Sequence, residues 1–134
     1  MNRNLKIRNT IYFLVLIGII IFTQCSGSVE SQLQSAAKET NKECPVMRDQ
    51  WTRLDSCSVE GSSTFKYYFS ILQIVVTDTT KLKSQIKPQI IETVKIHPST
   101  RIFRDNDVTL VYKYSDDNGQ YLFTITATPE DYKK

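Results

Sequence analysis

The dipeptide Asn118-Gly119 constrains this chain more than any other pair of residues. Both residues tolerate positive φ, and a tight hairpin turn needs that. On one side Val108, Leu110, Tyr112 and Tyr114 fall at alternate positions; on the other Tyr121, Phe123, Ile125 and Ala127 do the same. Two period-two runs around such a turn predict an antiparallel hairpin with one apolar face. A two-residue loop pairs Tyr114 with Phe123 and Tyr112 with Ile125. A four-residue loop pairs Tyr114 with Tyr121 and Tyr112 with Phe123. Either register keeps both apolar rows together, and a slip of one residue does not.

A sheet face of that kind must be covered, and two upstream segments have the period to cover it. Val29, Leu33, Ala36, Ala37 and Thr40 recur at helical spacing and predict a short amphipathic helix ending near Asn41, before Cys44-Pro45. Leu82, Ile86, Ile90 and Val94 recur every four residues behind a cap at Asp78 or Thr79. Pro88 falls inside this second helix and predicts a kink, or a division into two helices at Lys87. His97-Pro98 ends it. Two strands separate the helices: Thr52 to Glu60, closed by Gly61-Ser62-Ser63, and Phe65 to Val76. The second of these sets Phe65, Tyr67, Phe69 and Ile71 on one face. The order αββαββ, with one apolar stripe per helix, predicts an α+β fold: a four-stranded antiparallel sheet with two helices packed on one face.

The first 24 residues read differently. Arg3, Lys6 and Arg8 precede an unbroken apolar run, Ile11 to Phe22, and small polar residues follow. This is the layout of an export leader. The run is 12 residues long, against about 20 for a helix that spans a bilayer. Cys25 sits just after it. That placement resembles the lipobox of bacterial lipoproteins, which implies acylation of Cys25, although Phe22, Thr23 and Gln24 stand where Leu, a small residue and Gly or Ala are usual. Cleavage after Gly27 and retention as an uncleaved anchor are the other two outcomes. Residues 1–24 are therefore assigned as export leader or membrane anchor, 25–32 as the lipid-attachment cysteine with a polar tether, and 33–134 as one α+β domain.

Charge follows the same division. The chain carries 17 basic and 14 acidic residues, but three of the basic residues lie in the leader, which leaves the rest balanced. A neutral domain has no counterion-release drive toward nucleic acid. The four glycines stand apart at 18, 27, 61 and 119, so no phosphate-cradling loop exists.

Candidate sites are few. Cys44 and Cys57 are far apart along an extended stretch, and a disulfide between them requires the chain to bend near Asp49–Trp51 to bring the Cα atoms within roughly 4.4–6.8 Å. Separately buried thiols are the alternative. The single histidine, His97, has no second imidazole with which to build a zinc site; a capping role at the helix end suits it better. Asp105-Asn106-Asp107 and Asp116-Asp117-Asn118-Gly119 lack the spaced ligands of a calcium loop and read as turns. Neither a cofactor nor a metal is expected, and no catalytic residue can be named.

The densest polar stretch is Arg48 to Asp55. It holds two Arg, two Asp and the only Trp. Arg48, Trp51, Arg53 and Asp55 read either as a recognition edge or as a structural corner, with Trp51 filling the gap between sheet and helix and Arg53 paired with Asp55. Lys66, Tyr68 and Lys113 fall on the strand faces away from the apolar rows and extend the candidate interaction surface.

Cys44-Pro45, Asp49 and Thr52-Arg53-Leu54-Asp55, followed by Phe65-Lys66-Tyr67-Tyr68, resemble a motif run in small exported bacterial proteins and lipoproteins. Ile102-Phe103-Arg104-Asp105 and Val111-Tyr112-Lys113-Tyr114 fit the same run, and Cys57 stands outside it. The resemblance spans about residues 42–132, implies export and the αββαββ fold, and brings no activity with it. The expected function is a membrane-anchored, non-enzymatic binding or assembly module of the bacterial envelope, on the periplasmic side, attached through its leader or lipid and docking on another envelope protein. A secreted inhibitor or immunity-like factor acting on another protein is the alternative; a small hydrolase or thiol enzyme ranks last.

Overall fold

The computed structural model describes residues 27–134, so the leader and Cys25 lie outside the described residues. Ser28 opens the first helix, α1 (Val29–Glu43), by accepting the Ser31 N–H at 3.2 Å. Residues 29–32 of the expected tether are thus already helical. Leu33 and Ala37, four residues apart, are its buried positions. The helix stops where Cys44 turns extended ahead of Pro45.

Five strands follow in an order that matches the chain: β1 (Val46–Met47), β2 (Thr52–Glu60), β3 (Thr64–Ile71), β4 (Thr109–Asp116) and β5 (Tyr121–Ala127). Helix α2 (Thr79–Ile96), a short 3₁₀ turn (Pro98–Thr100) and α3 (Arg101–Asp105) connect β3 to β4, and α4 (Pro129–Tyr132) closes the chain. The expected four-stranded antiparallel sheet is corrected in two ways. The sheet has five strands, and β3 pairs with β4 in parallel, from Thr64 opposite Thr109 to Ile71 opposite Asp116. The cause is length. An 18-residue α2 spans about 27 Å at ~1.5 Å per residue, and eight-residue β3 spans about 26 Å at ~3.3 Å. One helix therefore carries the chain back to the end where β3 began, so β4 runs the same way.

Two further expectations shift. The second strand ends at Ile71 rather than Val76: Leu72 still donates to the Trp51 carbonyl at 2.8 Å, but Gln73 then takes a φ of 61°, which turns the chain out of the extended path. Helix α2 runs unbroken through Pro88, so the division at Lys87 does not occur. Its cap is Asp78, whose side chain accepts the Lys81 N–H at 2.8 Å.

The hairpin takes the register of the shorter loop, Tyr114 opposite Phe123 and Tyr112 opposite Ile125. An irregularity between Tyr114 and Ser115 then sets Tyr121 opposite Ser115. That throws Tyr121 out of its apolar row and leaves it 59% exposed. Asp116 Oδ1 holds the loop by accepting the N–H groups of Asn118 and Gln120, with Gly119 at φ +79°.

Both long helices lie on one face of the sheet, α1 against β2 and α2 against β5. Leu33 and Ala37 of α1, Val94 of α2 and Phe103 of α3 bury Leu54, Phe65, Leu110 and Ala127 from the strands. A second cluster gathers Ile71, Tyr114, Phe123 and Ile125. Tyr132 ties α4 to the core through its hydroxyl, 2.8 Å from the Val108 carbonyl. No helix of the described residues is long and apolar enough to cross a membrane.

Candidate functional site

His97 is exposed at the end of α2, where Nδ1 sits 2.7 Å from the Ser99 hydroxyl and accepts the Ser99 N–H. It caps the 3₁₀ turn. Asp105 pairs with Arg101 and Asp107 with Lys133, so the two acids at this turn are engaged in local ion pairs. No group of three His, Cys, Asp or Glu converges on a metal-sized point among the described residues.

Cys44 and Cys57 are free thiols. Asn41 holds β2 beside them: its Oδ1 accepts the Cys57 N–H at 2.7 Å, and its Nδ2 donates to the Cys57 carbonyl at 2.9 Å. The Cys44 thiol donates to the Thr40 carbonyl at 3.3 Å. Burial pushes the Cys57 thiol up to about 12, with Cys44 adding to the effect, and burial also raises Cys44. Since the thiolate is the nucleophile, both should be sluggish at neutral pH. In the reduced protein, alkylation of Cys57 by iodoacetamide is expected to be on the order of a hundredfold slower than in the denatured chain, with Cys44 intermediate, as read by peptide mass spectrometry. Native labelling of Cys57 at the denatured rate would contradict this environment.

The Arg48–Asp55 stretch separates into two jobs. Asp49 Oδ1 accepts the N–H groups of Trp51 and Thr52, both at 2.8 Å, and the Trp51 bond does most to hold its carboxyl below the ordinary value. Asp49 therefore builds the turn between β1 and β2. Arg53 Nε meets Asp55 Oδ1 at 2.5 Å, and Ser70 donates to Asp55 Oδ2 at 2.6 Å. This trio lies on the sheet face away from the helices. Lys66, Tyr68 and Lys113 share that face: Tyr68 stands between Ser56 and Lys113 in the strand register, and Lys66 between Ser58 and Val111. Lys66 pairs with Glu60, and Lys113 Nζ sits 5.8 Å from the centre of the Tyr121 ring. Trp51 does not fill a core gap. It is 39% exposed and lines the mouth of a groove on the helix side.

That groove, of about 660 Å³, lies between the sheet and α2. Its floor is a row of aromatic side chains on β3 and β4, which stacks onward into the buried Phe123 of β5. Tyr67 stacks on Tyr112 at 5.0 Å, Phe69 on Tyr114 at 5.2 Å, and Tyr114 on Phe123 at 4.7 Å between ring centres. Leu82, Ile86 and Ile90 of α2 form one wall. They are the stripe expected to be core, yet only Val94 of α2 is buried. Ile74, 46% exposed, joins Trp51 at the rim. Burial raises the Tyr67 and Tyr112 phenols well above their ordinary value and Tyr114 to about 12. The floor is uncharged near neutrality, and the charged lining residues, Arg48 and Asp49, belong to the β1–β2 turn. Such a surface binds by apolar contact with a few hydroxyl hydrogen bonds. Of these residues only Arg48 and Trp51 were expected from sequence to belong to an interaction surface; the aromatic and helix residues were expected as core. A helix stripe with no charged cover over it was the available signal for the rest.

The fold recurs in proteins of low sequence identity. A Pseudomonas aeruginosa protein described as secreted superposes with a TM-score of 0.64 at 16% identity, over 77% of this chain and 91% of that one. The pilotin EpsS of the Vibrio vulnificus type 2 secretion system gives 0.63 at 13%, over 78% and 91%. The type II pilotin AspS of Vibrio cholerae gives 0.60 at 14%, over 77% and 91%. No curated protein matches in sequence. Residues 28–123, from the cap of α1 to the middle of β5, match one family, and the chain belongs to it: the domain of unknown function DUF8479.

Proposed function

We propose that this chain is an exported protein of the bacterial envelope, held at the membrane by its leader or by a lipid on Cys25, whose domain is a non-enzymatic docking module. The observation that carries this reading is the uncharged aromatic groove with Trp51 and Ile74 exposed at its rim. Exposed apolar side chains gathered around a concavity mark a contact site more often than scattered ones do. Its occupant is an apolar segment of another envelope protein, because a floor of neutral phenols and phenyl rings offers no charge to a polar ligand. The shared fold of two type II secretion pilotins supports an assembly role. The neighbour described as secreted supports export.

The test is cross-linking of the tagged full-length protein in its native cells. One reproducible membrane-fraction partner is expected. Trp51→Ala combined with Ile74→Asp should reduce its recovery about tenfold or more, the scale of a lost interface anchor, and leave the fold intact. Cys25→Ala should release the protein from the membrane if the lipid is the anchor. A partner recovered equally with the rim variant removes the groove from the reading. Recovery only from the medium, with no partner, favours the alternative of a secreted factor.

A further inference from the structure

A second concave surface lies on the other side of α2, along the free edge of the sheet. β5 pairs with β4 alone, so alternate N–H and C=O groups along Tyr121–Ala127 point away from the sheet. Among the described residues no loop or side chain closes that edge. The opposite edge is closed twice. Two-residue β1 covers Leu54 and Arg53, and beyond it the Asn41 carboxamide takes both backbone groups of Cys57. An edge left open normally carries a charge or a proline to repel strands. β5, Tyr-Leu-Phe-Thr-Ile-Thr-Ala, carries neither.

A groove of about 960 Å³ runs between α2 and the first half of β5. Lys83, Lys87, Ile91 and Lys95 line it at four-residue steps, and Glu92 is its one carboxylate. Lys87 is partly engaged by Asp131, 3.6 Å away. Pro88 supplies an apolar patch to the lining beside Ser84. The helix turns Leu82, Ile86 and Ile90 toward the aromatic groove and its lysine row toward this one.

We infer that β5 is a docking edge: an extended segment of another protein adds to the sheet as a sixth strand, its apolar side chains on Pro88 and Ile91 and its carboxylates within reach of Lys83, Lys87 and Lys95. Backbone pairing supplies the affinity and the lysine row the selectivity. A second copy of this chain is the wrong occupant. Pairing β5 with β5 makes a continuous sheet and brings two α2 lysine rows onto the same face, where they repel. The inference extends the docking reading to a separate surface.

The test uses full-length protein in detergent and a labelled peptide as long as β5, with Thr at every second residue and Glu and Val taking turns at the positions between, so that both kinds of side chain meet the α2 face. Two comparison peptides carry Lys for Glu, or N-methyl groups at alternate residues. Saturable binding of the Glu peptide is expected by fluorescence anisotropy, with slowed amide exchange in residues 121–127. N-methylation should weaken it about tenfold or more, because it deletes the ladder donors. Combined Lys83→Glu, Lys87→Glu and Lys95→Glu should weaken it by a similar factor and shift preference to the Lys peptide; these side chains are outside the core, and circular dichroism checks the fold. The peptide comparison on unaltered protein needs no variant. Absence of saturable binding, equal binding of the N-methylated or Lys peptide, or a dimer that protects residues 121–127 would overturn the inference. Capture of a cellular partner that depends on Trp51 and ignores the lysine row leaves the aromatic groove standing and removes this edge.

Discussion

Between about pH 9 and about pH 11 the domain is expected to lose much of its stability, because three buried acids and two partly buried phenols must give up protons they hold more tightly when folded. Burial raises the phenols of Tyr67, Tyr112, Tyr114 and Tyr132 from an ordinary value of 10.0, and the Cys57 thiol from 9.0. Tyr114, Tyr132 and Cys57 each reach about 12 and are the most deeply buried, at 6%, 3% and 5% exposure. A raised folded value means the folded state binds more protons than the unfolded one at alkaline pH. Stability is therefore fully present below the unfolded values and declines as pH rises through them. Each group costs about 1.4 kcal/mol per pH unit across its window. At about pH 11 these three together cost on the order of 5 kcal/mol, against a total of about 5–15 kcal/mol for a small domain. Urea midpoints measured across this range should fall steeply beyond about pH 9.5, and tyrosinate absorbance should rise together with loss of circular dichroism. Tyrosines that ionise near their ordinary value in a domain still folded would show that the groove floor is wet, and would weaken its role as an apolar site.

The features legible in the sequence are those set by short-range pattern. Asn118-Gly119 narrowed the hairpin to two registers, the 82–86–90–94 spacing behind Asp78 or Thr79 marked α2, and Cys44-Pro45 marked the end of α1. What escaped depends on lengths and on neighbours. Nothing in β3 or β4 alone says parallel; the direction follows from α2 being as long as β3. The two residues of β1 are too few to show a period. The shift between Tyr114 and Ser115 moves Tyr121 off its row with no residue to announce it. The aromatic groove escaped because an apolar helix stripe over an apolar sheet reads as core. How far the groove opens depends on how closely α2 docks: Leu82, Ile86 and Ile90 pack on the sheet cluster while staying only partly buried, and Val94 alone is fully buried. The free β5 edge was hidden for a related reason, since strand order decides which strand ends the sheet.

Phe65 and Phe69, one face and four residues apart on β3, should respond very differently to truncation. Phe65 is 1% exposed, with Phe103 at 5.0 Å, Tyr67 at 4.9 Å, and Val59 and Leu110 beside it in the register. It joins α3 to three strands at the centre of the larger core cluster. Phe65→Ala leaves a cavity that these elements cannot all collapse into, and should cost about 3–5 kcal/mol. That is enough to leave the chain partly unfolded at 37 °C. Phe65→Leu keeps more of the volume and should cost less than half as much. Phe69 is only partly buried, stacked on Tyr114 in the groove floor and already facing open space on one side. Its truncation forfeits a stacking partner and some apolar area, about 1–2 kcal/mol, and should abolish partner capture while the domain stays folded. Urea unfolding of the three variants, alongside cross-linking of Phe69→Ala, separates the two roles. If Phe69→Ala destabilises as much as Phe65→Ala, then α2 closes over the sheet in solution, Tyr67, Phe69 and Tyr112 join Tyr114 and Phe123 in the core, and docking is left to the β5 edge.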